Sequence, residues 1–220
     1  WCSRYWNNYP HKTFHINMKN KLLPIALLIL FVALGELVLV QSPTLLQFDA
    51  LTATAINETQ TSLGTTIFST ITKIGNPISA FIICIIIAII LLIQKRRKDI
   101  GLVATTMIIG IGLVEIIKML VERARPIEGL IPEDGWSFPS AHATFAAILM
   151  VILYNLFISK ISKTKRWIYG TILMIISLGI AYSRIYLGVH WTSDVIAGLL
   201  LGFSISLFID VIFEKISNRG

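Results

Sequence analysis

The chain has 220 residues, which suffice for one soluble domain or for a compact bundle of membrane helices. Hydrophobic residues make up 55% of it and charged residues only 14%, whereas a soluble domain carries about 25% charged residues. With a mean hydropathy of +0.76 and long apolar runs, these values exclude a soluble, disordered or nucleic-acid-binding protein. The net charge of +7 therefore needs another explanation than a nucleic-acid partner.

The first 17 residues differ from the rest, because they are polar and aromatic, show no periodicity and lack an initiating Met. Met18 is followed by Lys19 and Lys21 and then by an apolar run, which is a common beginning of a membrane protein. We therefore interpret residues 1–17 as an extension that is either non-native or disordered. Residues 18–220 are predicted to form a single membrane domain.

Six apolar runs reach or approach the roughly 20 residues that a membrane helix needs. In chain order they cover residues 22–40, 77–93, 100–120, 143–158, 167–182 and 195–213. The fourth is predicted to begin earlier, near Pro139, and the sixth near Trp191. A cleaved signal peptide is the alternative for the first run, but its length, the missing small-x-small site and the five later runs favour a retained helix. The predicted fold is all-α, a polytopic bundle of six transmembrane helices.

The segment between the first two runs carries a helical pattern of its own. Six of its residues recur at helical spacing: Leu45, Phe48, Leu51, Thr52, Ala55 and Ile56. Asp49, Asn57 and Glu58 lie elsewhere around this helix. The pattern predicts an amphipathic helix that lies in the interface at the outer face of the membrane. A solvated loop that packs on the bundle is the alternative.

Lysine and arginine residues indicate the orientation of the bundle. They are concentrated before the first run, in residues 95–98, in residues 160–166 and after the last run. With six spans, these four segments lie on one side of the plasma membrane, which the positive-inside rule identifies as the cytoplasm. Both termini are then cytoplasmic, and residues 41–76, 121–138 and 183–191 face outward. Most of the positive charge thus indicates the orientation of the chain in the membrane.

Unusual polar and charged residues gather at the outward ends of the last four runs. They are Lys118, Arg123, Arg125, Ser140, His142, Arg184, His190 and Asp194. Ionisable groups within or beside membrane spans are costly, so they are candidates for function. Under the predicted topology, all of them lie at the same face of the membrane.

Two parts of this set have a recognisable local chemistry. His190 and Asp194 are four residues apart, so on a helix Asp194 can bind one ring nitrogen of His190 and hold the other ready to attack. A surface pair without function is the alternative. Ser137 is predicted to cap the fourth helix with Pro139 in its first turn, which would create an anion site beside Ser140. An ordinary helix start is the alternative.

Three cations complete the set. Lys118 and Arg125 are seven residues apart, two turns if helical, and Arg184 is predicted at the same level; side chains that merely reach toward the interface are the alternative. Cations, a helix N-terminus and two histidines suit the charge that spreads over a transferring phosphoryl group. One histidine would be the nucleophile and the other the acid for the leaving group. Because no carboxylate cluster suits Mg²⁺, a route without metal is preferred.

The same residues form three ordered motifs: Lys118…Arg125-Pro126, Pro139-Ser140-Ala141-His142 and Ser183-Arg184…His190…Asp194. The chain thereby resembles the type 2 phosphatidic acid phosphatase superfamily of membrane lipid phosphatases. The signature of that family is Lys, six residues, Arg-Pro; then Pro-Ser-Gly-His; then Ser-Arg, five residues, His, three residues, Asp. All spacings agree, and the resemblance covers nearly all of residues 18–220. The one departure is Ala141 in place of the family's Gly, and its extra methyl group is expected to affect rate and substrate range if phosphate approaches the backbone there.

The resemblance implies roles for seven residues. His190 would form a phosphohistidine, Asp194 would orient it, and His142 would protonate the leaving group. Four residues would bind the phosphate: Lys118, Arg125, Ser140 and Arg184. Neither a metal nor another cofactor is implied.

The implied function is metal-independent hydrolysis of a lipid phosphomonoester or lipid diphosphate at the outer membrane face. Undecaprenyl diphosphate, phosphatidylglycerol phosphate and phosphatidic acid are the expected substrates. Membrane lipids are the expected surroundings, no nucleic-acid partner is expected, and the oligomeric state stays open. A lipid phosphotransferase of the same fold, which differs only in its acceptor, and a non-catalytic membrane scaffold or transporter are the alternatives.

Overall fold

The computed structural model describes residues 22–217, which form eight helices and, within that range, no strand. The helices are α1 (Leu23–Leu39), α2 (Pro43–Asn57), α3 (Ser62–Ile74), α4 (Pro77–Ile93), α5 (Arg97–Val121), α6 (Ala141–Leu153, extended by a π-helical turn over Tyr154–Ile158), α7 (Lys163–Tyr186) and α8 (Thr192–Ser217). The predicted all-α class is confirmed. The extension predicted over residues 1–17 lies outside the described residues, and its nature stays a prediction.

Four helices, α5 to α8, are long and apolar enough to cross a membrane by themselves. The helices α1 and α2 form a pair bent by 94°, and α3 and α4 form a second bent pair. If each bent pair counts as one span, the total is six, the number predicted. The outer surface agrees with a lipid environment, because α4 exposes Ile78 by 70%, Phe81 by 65% and Ile93 by 76%.

The predicted helix between the first two spans is present as α2, but its inward face differs from the prediction. Leu45 and Asp49 are its buried residues, whereas Phe48 and Leu51 are exposed by 42% and 62%. The buried face of α2 is therefore not the predicted apolar face. Asp49 points into the bundle, where its Oδ2 lies 2.6 Å from Arg123 Nη2.

Helix α3 was not predicted, because Ser and Thr make its sequence resemble a loop. Its first turn is capped by the hydroxyl of Thr61, which accepts a hydrogen bond from the Gly64 amide at 3.0 Å. Phe68 then packs against Tyr186 of α7, with 4.4 Å between the ring centroids. Helix α3 is thereby held against the end of α7 that carries the predicted site residue Arg184.

Helix α6 lies in the centre of the bundle and packs most extensively on α8. Gly198 and Gly202 allow this approach, because a Cβ atom at Gly198 would lie 2.5 Å from the Ser140 carbonyl oxygen. At Gly202 it would lie 2.4 Å from the Thr144 carbonyl oxygen. The two glycines thus serve packing within the molecule, and this packing brings the N-terminal ends of α6 and α8 together.

We expect Gly202→Ala to destabilise the protein by about 1–3 kcal/mol, since its methyl group would force two helix backbones apart. Gly179→Ala in α7 is the matched control, because a Cβ atom there has no neighbour within 4 Å. The thermal midpoint of both variants in the same detergent checks this. Equal midpoints for the two variants would contradict the packing argument.

Candidate active site

The predicted site residues come together at one end of the bundle, where α5 and α7 end and α6 and α8 begin. Lys118 lies in the last turn of α5 and Arg184 in the last turn of α7. His142 lies in the first turn of α6 and Asp194 in the first turn of α8. Arg125 lies in the loop that follows α5. The convergence expected from the topology is therefore present in the fold.

His190 and Asp194 are both buried, and their side chains face each other. The distance from His190 Nδ1 to Asp194 Oδ2 is 3.4 Å, and the amide of Trp191 donates to the same oxygen at 3.0 Å. Burial lowers the pKa of His190 to about 4, although the bond to Asp194 and its charge act in the opposite direction. The imidazole is therefore neutral at pH 7.

Arg125 determines which ring nitrogen of His190 carries the proton. Its Nη1 lies 3.1 Å from His190 Nε2. A guanidinium can only donate, so Nε2 must be the acceptor and Nδ1 must hold the proton that faces Asp194. His190 thus has the tautomer in which Nε2 carries the lone pair that a nucleophile needs.

All five N–H groups of Arg125 have an acceptor. Besides His190, these are four backbone carbonyl oxygens at 2.8 to 3.3 Å, those of Asp134, Gly135, Trp136 and Val189. Burial lowers the pKa of Arg125, and the guanidinium stays charged at neutral pH because its ordinary pKa is very high. Arg125 is therefore a fixed positive charge beside the nucleophilic nitrogen.

Arg184 is almost fully buried and forms an ion pair that the sequence did not suggest. Its Nη2 lies 2.6 Å from Glu133 Oε2, and its Nη1 donates to the Thr72 hydroxyl at 2.8 Å. Glu133 Oε1 lies 3.9 Å from Arg125. Burial acts to raise the pKa of Glu133, but the hydrogen bond and charge of Arg184 outweigh it and lower that pKa. An ionised carboxylate thus lies between the two arginines predicted to bind phosphate.

His142 lines a cavity of about 290 Å³ next to this ion pair. The other lining residues are Ser69, Thr72, Lys73, Asn76, Ile131, Glu133 and Arg184. The cavity therefore extends from the candidate site to the corner between α3 and α4. Lys118 lies within electrostatic range of Arg125, Glu133 and Asp194.

Ser140 is fully buried at the N-terminus of α6. Its amide donates to the backbone oxygen of Asp194 at 3.0 Å, which joins α6 to α8. Its hydroxyl has no hydrogen-bond partner among residues 22–217. A buried hydroxyl at the N-terminus of a helix is thus available to a ligand.

The start of α6 corrects one prediction. Ser137 is not the N-cap, because its amide and hydroxyl bond to the Arg123 and Ala124 carbonyl oxygens at 2.8 and 3.1 Å. The helix begins only at Ala141, after a cis bond between Phe138 and Pro139. Ser137 thus fixes the loop after α5, while the N-cap is the residue after Pro139.

Ala141, the departure from the family pattern, packs against two apolar clusters of the core, which contain Phe138 and Phe145 respectively. Its methyl group therefore has neighbours in the protein interior. We expect the narrowing of the phosphate site to be smaller than the sequence alone suggests.

No catalytic or binding role was predicted for two residues that lie beside this site, Arg123 and Asp49. Arg123 donates to Asp194 Oδ1 at 2.6 Å, to the Ser193 hydroxyl at 2.7 Å and to Asp49 Oδ2 at 2.6 Å. Asp49 also accepts from the Ser193 amide at 2.9 Å. The signal available in the sequence was that Asp49 is the only charged residue of α2, in register with Leu45 on the helix.

Comparison with known proteins identifies the family. The family model described as PAP2 superfamily matches residues 99–217, more than half of the chain. The chain belongs to the PAP2 superfamily. The match includes all seven predicted site residues. Within residues 22–217, no group of three or more His, Cys, Asp or Glu side chains could hold a metal ion, and a reaction without metal stays a prediction.

Two curated PAP2 relatives are phosphatases by name. An undecaprenyl-diphosphatase of Sulfolobus acidocaldarius is 36% identical over 134 residues, which are 57% of this chain and 61% of the relative. A phosphatidylglycerophosphatase B of Bacillus subtilis is 36% identical over 110 residues, which are 48% of this chain and 54% of the relative. The chain thus spans between half and two thirds of the length of these relatives.

A solved PAP2 structure extends the likeness to nearly the whole fold. It is a transmembrane phosphatidylglycerolphosphate phosphatase of Bacillus subtilis, with a TM-score of 0.79 and 25% identity. The alignment covers 88% of this chain and 96% of that one. With its apolar outer surface and candidate spans, this chain is an integral membrane protein.

Proposed function

We propose that this PAP2 protein hydrolyses a lipid phosphomonoester or lipid diphosphate through a phosphohistidine, without a metal ion. The observation that carries the proposal is the placement of His190, which lies between Asp194 on one ring nitrogen and Arg125 on the other. A neutral imidazole with an oriented lone pair, set among fixed cations, is suited to attack phosphorus.

The proposed reaction has two steps. His190 Nε2 attacks the phosphorus atom, the bond from phosphorus to the lipid oxygen breaks, and His142 gives that oxygen a proton. A water molecule then loses a proton to His142 and attacks the phosphohistidine, which releases inorganic phosphate and restores His190. Asp194 stabilises the positive charge on the ring in both steps. Lys118, Arg125, Arg184 and the Ser140 hydroxyl are proposed to bind the phosphate oxygens.

The part of the substrate that leaves is proposed to lie in the cavity beside His142. The lining carries two cations, Lys73 and Arg184, and one carboxylate, Glu133, so it keeps one net positive charge beside the Thr72 hydroxyl. Such a lining suits either an alkoxide or a second phosphate. Undecaprenyl diphosphate, phosphatidylglycerol phosphate and phosphatidic acid are therefore the proposed substrates, and the names of two relatives support the first two.

We propose that the site faces outward and that both termini are cytoplasmic. The basic segments 95–98 and 160–166 lie at the helix ends opposite to the site, which supports this orientation under the positive-inside rule. A membrane-impermeant maleimide should label Glu128→Cys, but not Lys163→Cys, in intact cells. The reverse pattern would overturn the orientation.

The purified protein in detergent should release phosphate from at least one of the three substrates, and EDTA should not stop it. His190→Ala, purified and measured in the same way, gives the phosphate release that is due to contaminating phosphatases. If none of the three substrates yields phosphate, or if EDTA abolishes the release and Mg²⁺ restores it, the proposal is wrong.

We expect His190 to stay neutral far below the usual range of histidine. Because burial lowers its pKa to about 4, the ring should gain its second proton only near that pH. Above it, the nucleophile is in its reactive form. A ¹⁵N NMR titration of histidine-labelled protein, assigned with His190→Gln, checks this, and a midpoint between pH 6 and 7 would contradict it.

A further inference from the structure

We propose that Asp49 in α2 is a positioning residue for the nucleophile and acts on Asp194 through Arg123. The inference rests on the proposed function, since it assigns a part to a residue outside the three motifs. Asp49 is 1% exposed and Asp194 is fully buried. Arg123 lies between the two carboxylates, with Nη groups 2.6 Å from each of them.

Arg123 fixes the geometry of the Asp194 carboxylate. Arg123 holds its Oδ1, which leaves Oδ2 for the Trp191 amide and for His190. The carboxylate is thereby fixed at both oxygens and cannot rotate away from the ring. The guanidinium of Arg123 lies over the Trp191 ring, with its central carbon 5.7 Å from the ring centroid.

Asp49 fixes the surroundings of this carboxylate from a different helix. Its Oδ1 accepts from the Ser193 amide at 2.9 Å, and its Oδ2 accepts from the Ser193 hydroxyl at 2.5 Å and from Arg123. Ser193 directly precedes Asp194 in the first turn of α8. One carboxylate of α2 thus determines both the position of this turn and the direction of the Arg123 side chain.

The charge of Asp49 holds Arg123 in this place. Asp49, Arg123 and Asp194 are almost entirely removed from water, so the attraction between Asp49 and Arg123 is little screened. Without that charge, Arg123 would be held less firmly, and Asp194 would lose the contact that fixes its Oδ1. Asp49 therefore contributes to the position of the nucleophile without touching the substrate.

The matched control for Asp49 is Thr52, one turn further along α2. Its hydroxyl lies 2.9 Å from the Thr192 hydroxyl, so it also joins α2 to α8, but it does not contact Arg123. Thr52→Val removes this neutral contact and keeps the side-chain shape. Asp49→Asn keeps its shape as well and removes the charge.

We expect Asp49→Asn to lower kcat by about 10- to 100-fold, with KM and the inhibition constant of inorganic phosphate within about threefold of the wild type. Thr52→Val should leave kcat within about threefold. Arg123→Gln leaves the bonds between Asp49 and Ser193 in place, and Asp49→Asn added to it should lower kcat by less than about threefold, because both act through one path.

Thermal midpoints and gel filtration in the same detergent show whether each variant is folded. If Asp49→Asn does not fold, Arg123→Gln tests the same path, and a wild-type kcat in that variant overturns the proposal. Equal losses of kcat in Asp49→Asn and Thr52→Val would reduce Asp49 to a docking contact and also overturn it. A wild type that releases no phosphate would refute the proposed function instead, so the two failures are distinguishable.

Discussion

Replacement of His190 by alanine is expected to lower phosphate release by about 10⁴-fold or more, since removal of a nucleophile leaves only binding and electrostatic stabilisation. The fold should tolerate the change. Arg125 keeps its four backbone acceptors without the ring, so the loop it holds stays closed. The expected result is thus a folded and inactive protein.

Two measurements check this prediction, the rate of phosphate release and the chemical stability of the labelled intermediate. Wild-type protein mixed with ³²P-labelled substrate and quenched in base should carry a label that is stable in base and lost in acid, as expected for phosphohistidine. Peptide mapping should place the label on His190. His190→Ala should carry none. Retention of more than a tenth of the wild-type rate, or an unchanged label in this variant, would contradict the proposed mechanism.

His142→Ala is expected to affect substrates according to their leaving group. General acid catalysis contributes about 10²- to 10⁴-fold when the leaving oxygen is strongly basic. The leaving group of phosphatidic acid is the strongly basic alkoxide of diacylglycerol, which needs the proton, whereas that of p-nitrophenyl phosphate is the weakly basic p-nitrophenolate. We expect kcat/KM, which reports the first step, to fall at least about tenfold further with phosphatidic acid than with p-nitrophenyl phosphate.

The second step of the reaction, hydrolysis of the phosphohistidine, provides a second measurement of the same role. His142 is also the proposed base for the attacking water, so the phosphohistidine should accumulate when the first step no longer depends on the acid. Stopped-flow measurement with p-nitrophenyl phosphate should then show a burst of about one phenolate per protein in His142→Ala. The wild type provides the comparison. Equal losses on both substrates, without a burst, would assign the acid to another residue.

Much of the architecture followed from hydropathy. Helix α4 has the predicted bounds Pro77–Ile93, and α6 ends at Ile158 as predicted. Helix α7 instead runs from Lys163 to Tyr186, beyond the predicted 167–182. Hydropathy detects the apolar middle of a span, but the helix continues through polar residues at both ends, among them Arg184 of the site.

Two features were not predicted from the sequence, helix α3 and the burial of Asp49, because neither follows an apolar helical pattern. Helix α3 has Ser and Thr along its length, and its fixed position comes from aromatic contacts with α7. Asp49 was placed on a polar face because a carboxylate is assumed to seek water. It is buried because an arginine 74 residues away satisfies it, and no local pattern can reveal such a partner.

The candidate site was likewise predicted only in part. The motifs gave the seven residues, and the fold gathers them at one end of the bundle. Glu133 was missed because it belongs to no motif and meets Arg184 only through the folding of a loop. The start of α6 was misplaced because Ser137 and Pro139 form a common cap pattern, whereas here Ser137 binds the loop after α5.

The contact between Arg125 and His190 has a consequence for chemical selectivity. A lone pair that accepts a hydrogen bond from a guanidinium is less available to an electrophile than a free one, and His190 is only 2% exposed. A phosphate oxygen that takes this N–H for itself would release the lone pair at the moment the phosphorus atom arrives. The resting protein should therefore resist alkylating and acylating reagents at His190, and its most effective covalent inhibitors should carry a phosphate-like group.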